Sequence, residues 1–124
     1  MRAPEPIPGT RIVGASEVLD QVRVPVDHPV LRFASDEVFV LGDFRWTGVE
    51  SVLEEDERGF VGWWLTPEET AHVLHHVEWP LPGERPALAQ GLVAGVPARL
   101  WLDDDRALLL VHAAYAHELV ARLP

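Results

Sequence analysis

The sequence has no cysteine and no lysine, and none of its apolar runs approaches the roughly 20 residues a helix needs to cross a bilayer. Without cysteine there is no disulfide, no thiolate metal site and no cysteine nucleophile. Without lysine there is no Schiff-base chemistry and no P-loop lysine to grip a phosphate, so all ten bases are arginines. G-x-S-x-G is also missing, and the serines Ser16, Ser35 and Ser51 fall at an expected cap, a turn and a helix. "GLVAGV", 91–96, lacks the spacing of a dinucleotide loop. Asp103, Asp104 and Asp105 lack the alternation and the following glycine of a calcium loop, and read as turn residues. "MRAPEPIPGT" has no apolar stretch of a secretory signal, which makes the cytoplasm the expected location.

What is present is a chain of 124 residues with 48% hydrophobic content, enough for one domain that buries about two-thirds of its unfolded surface. Twenty acids stand against ten bases, for a net charge of −10. A surface of that sign repels phosphate backbones and anionic lipids, so neither nucleic acid nor membrane is expected as a partner. A basic protein would be attracted instead. No cofactor is expected.

Residues 1–9, with Pro4, Pro6 and Pro8, read as an extended arm ahead of a single α+β domain over 10–124. Ser16 is placed to cap a short helix, and "VRVPV", 22–26, alternates like an edge strand. Two apolar runs joined at 34–37 make 30–41 a β-hairpin. "TGVE", 47–50, is a capping-box pattern that would start a helix carrying Val49, Val52 and Leu53 on one face and stopping at Gly59. "FVGWWL", 60–65, reads as a strand. "TPEE", 66–69, starts a second helix at Pro67 that must end before Pro80. A short helix over 87–94, strands in "ARLWL" and "ALLLVH", and a last helix over 113–123 complete the order.

At an offset of 69 positions, 30–41 lies without a gap on 99–110, each an apolar run, a polar loop and an apolar run. The fold expected is therefore α+β, with one mixed or antiparallel sheet of about five strands built from two ββα-like units and three or four helices packed on it.

The 67–78 helix puts Thr70, Val73, Leu74 and Val77 on one side and Glu68, Glu69, His72, His75 and His76 on the other. His72 and His76 stand one turn apart, the spacing at which two imidazoles share a metal, and Glu69 is a third candidate ligand. The run "HVLHH" has no glutamate between its histidines, so it is not the helix of a zinc protease. A solvated helix face explains the same residues. His112, His117 and Tyr115 read as packed residues.

Two stretches break local rules. "EEDE", 54–57, would crowd anions at a helix C-terminus, where the backbone already repels them. If 102 pairs with 107, Leu100, Leu102, Ala107 and Leu109 line one face of the second hairpin and Trp101, Leu108 and Leu110 the other, so both faces are apolar. Such a sheet needs helices on both sides, or another chain over one of them. The reading that follows is a small acidic protein-binding module of the immunity-, inhibitor- or accessory-subunit kind, a possible homodimer, with Glu54, Glu55, Glu57, Trp101, Leu108 and Leu110 as candidate contact residues. The alternative is a small-molecule-binding domain or metal-assisted hydrolase built on His72, His75, His76 and Glu69.

Overall fold

A computed structural model describes residues 1–22 and 28–123, so the strand expected over 22–26 lies, from 23 on, outside the described residues. In chain order the elements are β1 (Glu5–Pro6), β2 (Gly9–Val13), α1 (Ser16–Leu19), β3 (Val30–Ala34), β4 (Glu37–Leu41), β5 (Leu53–Glu57) and β6 (Phe60–Leu65). There follow α2 (Pro67–Leu74), β7 (Ala87–Val93), β8 (Val96–Leu102), β9 (Ala107–His112) and α3 (Ala113–Arg122). The fold is α+β, but its strands form two antiparallel sheets of five and four, not one of about five. The chain divides into two compact units, residues 1–6 with 59–124, and residues 7–58.

The first unit holds the five-stranded sheet, ordered β1-β6-β9-β8-β7. Strand alternation sends Trp63, Leu65, Leu100, Leu102, Leu109 and Val111 to one face, where they pack with Val73 of α2 and Leu119 of α3. Trp63 is fully buried, and its indole N–H is satisfied by the Arg2 carbonyl at 2.7 Å. The 66–69 signal is realised in full: Thr66 Oγ1 accepts from the Glu69 amide at 3.1 Å, Glu69 Oε1 accepts from the Thr66 amide at 2.9 Å, and Pro67 fills the first turn. Of residues 1–9, read as an arm, Glu5 and Pro6 lie against Gly62 and Val61 as β1, and Gly9 opens β2.

Residues 87–94 form strand β7, where a helix was expected. Ala94 and Gly95 both take positive φ, 50° and 80°, in a two-residue turn that sends the chain back as β8. Such a turn matches the twist of paired strands, and seven consecutive pairs with β8 outweigh the helix propensity of an alanine- and leucine-rich segment.

The second unit holds the sheet β3-β4-β2-β5. Ile12, Val38 and Val40 pack with Leu19 of the single-turn α1. Ser16 is the first residue of α1, not its cap, and makes no capping bond. The helix expected over 47–58 is absent, and in its place residues 53–57 form β5, paired residue for residue with β2. Local propensity yields here to a ladder that the capping-box pattern does not see. Both hairpins of the internal echo exist, as β3-β4 and β8-β9, but β5 follows the first and α3 the second, so only the second completes a ββα unit.

Gly9 sits where β2 crosses its neighbour. A methyl group there would run into the Val40 carbonyl and lie 2.6 Å from the Phe39 ring, which is itself fully buried. Gly9→Ala is expected to cost about 1–3 kcal/mol by overpacking. Urea denaturation checks this, and an unchanged midpoint would contradict the close approach.

Candidate functional site

The three regions singled out in the sequence fare differently. The helix expected over 67–78 ends at Leu74, and along it and the turn that follows Val73 is buried and Leu74 and Val77 are half-buried, while Glu68 and His75 are exposed. His72 and His76 are half-buried, with ring centroids 5.4 Å apart in an edge-to-face arrangement. His72 Nε2 is buried with no hydrogen-bond partner among the described residues. Glu69, the expected third ligand, is drawn elsewhere. Arg2 donates to it twice, from Nε to Oε2 at 3.2 Å and from Nη2 to Oε1 at 3.1 Å, and the same Nη2 donates to the Trp64 carbonyl. The Arg2 bonds, then the Thr66 amide, hold the Glu69 carboxyl below its usual range, and Glu69 in turn raises the Arg2 guanidinium. Among the described residues no group of three or more His, Asp and Glu is placed to hold a metal ion.

Glu54, Glu55 and Glu57 lie on β5, the terminal strand of its sheet, and not at a helix end. The helix-dipole conflict therefore disappears. Alternation puts Glu55 and Glu57 on one side and Glu54 and Asp56 on the other. Arg11 bridges Glu37 at 2.7 Å and Glu55 at 2.6 Å, and these two bonds raise its pKa. Arg45 reaches Asp56 at 3.3 Å and Glu54 at 3.9 Å, and Glu54 also accepts the Trp46 amide at 2.5 Å. Arg11 and Arg45 stand among Glu37, Glu54, Glu55, Asp56 and Glu57, and even with Arg58, next in the chain, the five acids outnumber the three bases.

Leu102 does pair with Ala107, so the two faces of the second hairpin are those expected. Helices α2 and α3 cover one of them. On the other, Trp101, Leu108 and Leu110 are 4%, 0% and 0% exposed, so these candidate contact residues are buried within the chain. Trp101 meets Trp64 edge-to-face at 6.1 Å, and the Arg106 guanidinium lies 5.2 Å from the first ring and 5.5 Å from the second.

Sequence reasoning missed Leu53, 57% exposed on β5 itself, and Val49, 99% exposed four residues before it, because both were assigned to one face of a helix. The signal available was Val49 isolated among polar residues after Gly48. It also missed a cleft of about 490 Å³ beside α2, lined by Leu65, Leu74 and Leu102 with Arg85, Asp104 and Arg106 at its polar side. Its lining residues come from separate elements, so no motif announces it.

The Arg2–Glu69 fork has a pH signature. A carboxyl whose folded pKa is lowered stabilises the fold above its unfolded value, near pH 4.5, and loses that contribution as pH falls through the lower folded value. Glu69→Gln is expected to be less stable than the wild type at neutral pH, with the gap closing below about pH 4 and shrinking in high salt. Denaturant midpoints across that range check it, and a gap that does not change with pH would contradict the fork.

No protein-family model, no curated protein and no solved structure matches the chain.

Proposed function

We propose that this chain is a small acidic protein-binding module, of the immunity-, inhibitor- or accessory-subunit kind, that takes a basic partner along β5. The observation that carries this reading is the conjunction of exposed Val49 and Leu53 with a surplus of carboxylates on a terminal strand. Glu55 and Asp56 keep about half their side-chain surface, at 49% and 53%, even while bonded to Arg11 and Arg45. Carboxylates placed like this steer a cationic partner and set its orientation, whereas the two apolar side chains supply area to bury. Arg11 and Arg45 hold the acids in fixed rotamers, which lowers the ordering cost on binding. Trp101, Leu108 and Leu110 are left out of the contact, because burial has already spent them. The alternative at His72, His75 and His76 is the weaker reading, since its third donor is engaged by Arg2.

A six-residue peptide of alternating arginine and leucine is a suitable probe. Amide shifts in an NMR titration should concentrate over 49–57, and binding should weaken as salt rises. The double variant Glu55→Gln, Asp56→Asn is expected to lower affinity about three- to tenfold, mostly through slower association, at a stability cost under about 1 kcal/mol. Unchanged affinity, or shifts spread over every acidic position of the chain, would overturn the assignment.

A further inference from the structure

The cleft beside α2 has no part in the β5 reading. It lies wholly within the first unit, between one face of α2, the turn joining β8 to β9, and Arg85 of the connector that leads to β7. Pro67, Thr70, Ala71 and Leu74 follow one another at steps of one, three and four residues, so they form a single stripe of the helix along one wall. The Thr70 hydroxyl proton is already used on the Thr66 carbonyl, at 2.9 Å. Leu65 and Leu102, 9% and 5% exposed, make the floor with Leu74. At about 490 Å³ the space has the size of sites that hold small organic molecules, and an apolar floor with a few charged groups beside it is the composition of such sites.

The charges on its polar side are not neutralised among themselves. Arg106 is occupied: it stands 3.7 Å from Asp103 and lies over the Trp64 and Trp101 rings. Arg85 is held in place but unpaired. Its Nη1 donates to the Pro82 and Glu84 carbonyls at 2.7 and 2.8 Å, which fixes the guanidinium, while Nε and Nη2 have no partner among the described residues. Asp104 and Asp105 likewise make no ion pair among the described residues. The cleft therefore offers one open arginine fork and two open carboxylates above an apolar floor. A ligand of a single charge meets a conflict there, because an ammonium drawn by the aspartates faces Arg85 and a carboxylate drawn by Arg85 faces the aspartates. Both repulsions grow as the ligand displaces water.

We propose that this cleft binds a zwitterionic amino acid with a large apolar side chain. The side chain lies on Leu65, Leu74 and Leu102, the carboxylate takes the Nε and Nη2 donors of Arg85 as a bidentate pair, and the ammonium faces Asp104 and Asp105. The two carbonyl bonds of Arg85 set its fork before the ligand arrives, so little freedom is lost on binding. Such a ligand has no net charge, and the −10 of the chain neither attracts nor repels it at long range.

L-Phenylalanine is the probe, followed by amide NMR of the full chain at concentrations up to about 10 mM. Saturable shifts are expected over 65–74, at 85 and over 102–107, with a Kd of about 1 mM or below. Phenethylamine lacks the carboxylate and 3-phenylpropionate lacks the ammonium, and each should bind about tenfold more weakly or worse. Arg85→Gln should weaken phenylalanine about tenfold and leave phenethylamine no weaker, and the double variant Asp104→Asn, Asp105→Asn should weaken phenylalanine and leave 3-phenylpropionate no weaker. All three side chains are exposed, so these variants should keep the wild-type circular dichroism spectrum. Ala71→Trp, also at an exposed position, fills the cleft from the helix wall and should abolish binding with the spectrum unchanged, which keeps the test decisive if Arg85→Gln loosens its connector. The proposal is overturned by the absence of saturable shifts at the lining positions, by either half-ligand binding as tightly as phenylalanine, or by affinity that survives Ala71→Trp. None of these outcomes bears on a basic partner at β5, whose shifts would fall over 49–57.

Discussion

Trp101 and Leu108 face each other across β8 and β9, on the side of the five-stranded sheet opposite α2 and α3, and both are buried. Both faces of the β8-β9 hairpin are therefore dry. An antiparallel sheet with one wet face alternates apolar and polar residues, whereas "ALLLVH" in β9 is apolar at five of six positions because both of its faces are dry. Association through a greasy sheet face, which the sequence invites, is therefore closed off. The terminal strand β5 is different: it is acidic, with Leu53 exposed on it and Val49 exposed four residues before it.

The first unit is closed by residues far apart in sequence. Arg2 alone joins three parts of it: its carbonyl accepts from Trp63, its guanidinium donates to the Trp64 carbonyl, and the same group forks onto Glu69. Trp63 carries apolar packing at one end and a satisfied polar atom at the other, which is why a buried tryptophan is tolerated at the centre of β6. The Glu69 carboxylate has two tasks, capping α2 and holding Arg2, and both need the same ionised group near the start of a helix, where the backbone favours it. A carboxylate so occupied makes a poor metal ligand. This is why Glu69 is held away from His72 and His76, although those two have the spacing of a metal pair.

Where the sequence was legible, the signal was chemical and local. Thr66, Pro67 and Glu69 announced α2 because a capping box with proline in the first turn has few other uses, and the register of Leu102 with Ala107 followed from the apolar alternation of two short runs. Where it misled, a local signal was outweighed by pairing with a distant strand. Thr47 and Glu50 have the capping-box spacing, yet the chain after them is claimed by β2, some 40 residues away in sequence. Ala87 to Ala94 favours a helix by composition, but the positive φ of Ala94 and Gly95 commits it to a hairpin with β8. The candidate residues divided along the same line. Glu55 and Glu57 could be seen as a cluster whatever their backbone, although Arg11, the fixed partner of Glu55, could not. Val49 and Leu53 were visible only once the helix was replaced by a strand.

The claim that the Trp101 face of the β8-β9 hairpin is interior, and so not a contact for partners, is tested most directly at Trp101. Trp101→Ala would empty a tryptophan-sized space beside Trp64 and Leu108 and is expected to cost about 3–5 kcal/mol, a large share of the stability of a domain this size. Thermal melting should then show a strongly lowered transition or a molten, aggregating product. A variant that melts like the wild type, whether or not its assembly changes, would contradict the account, because that face of the sheet would have to be open to solvent or to another chain.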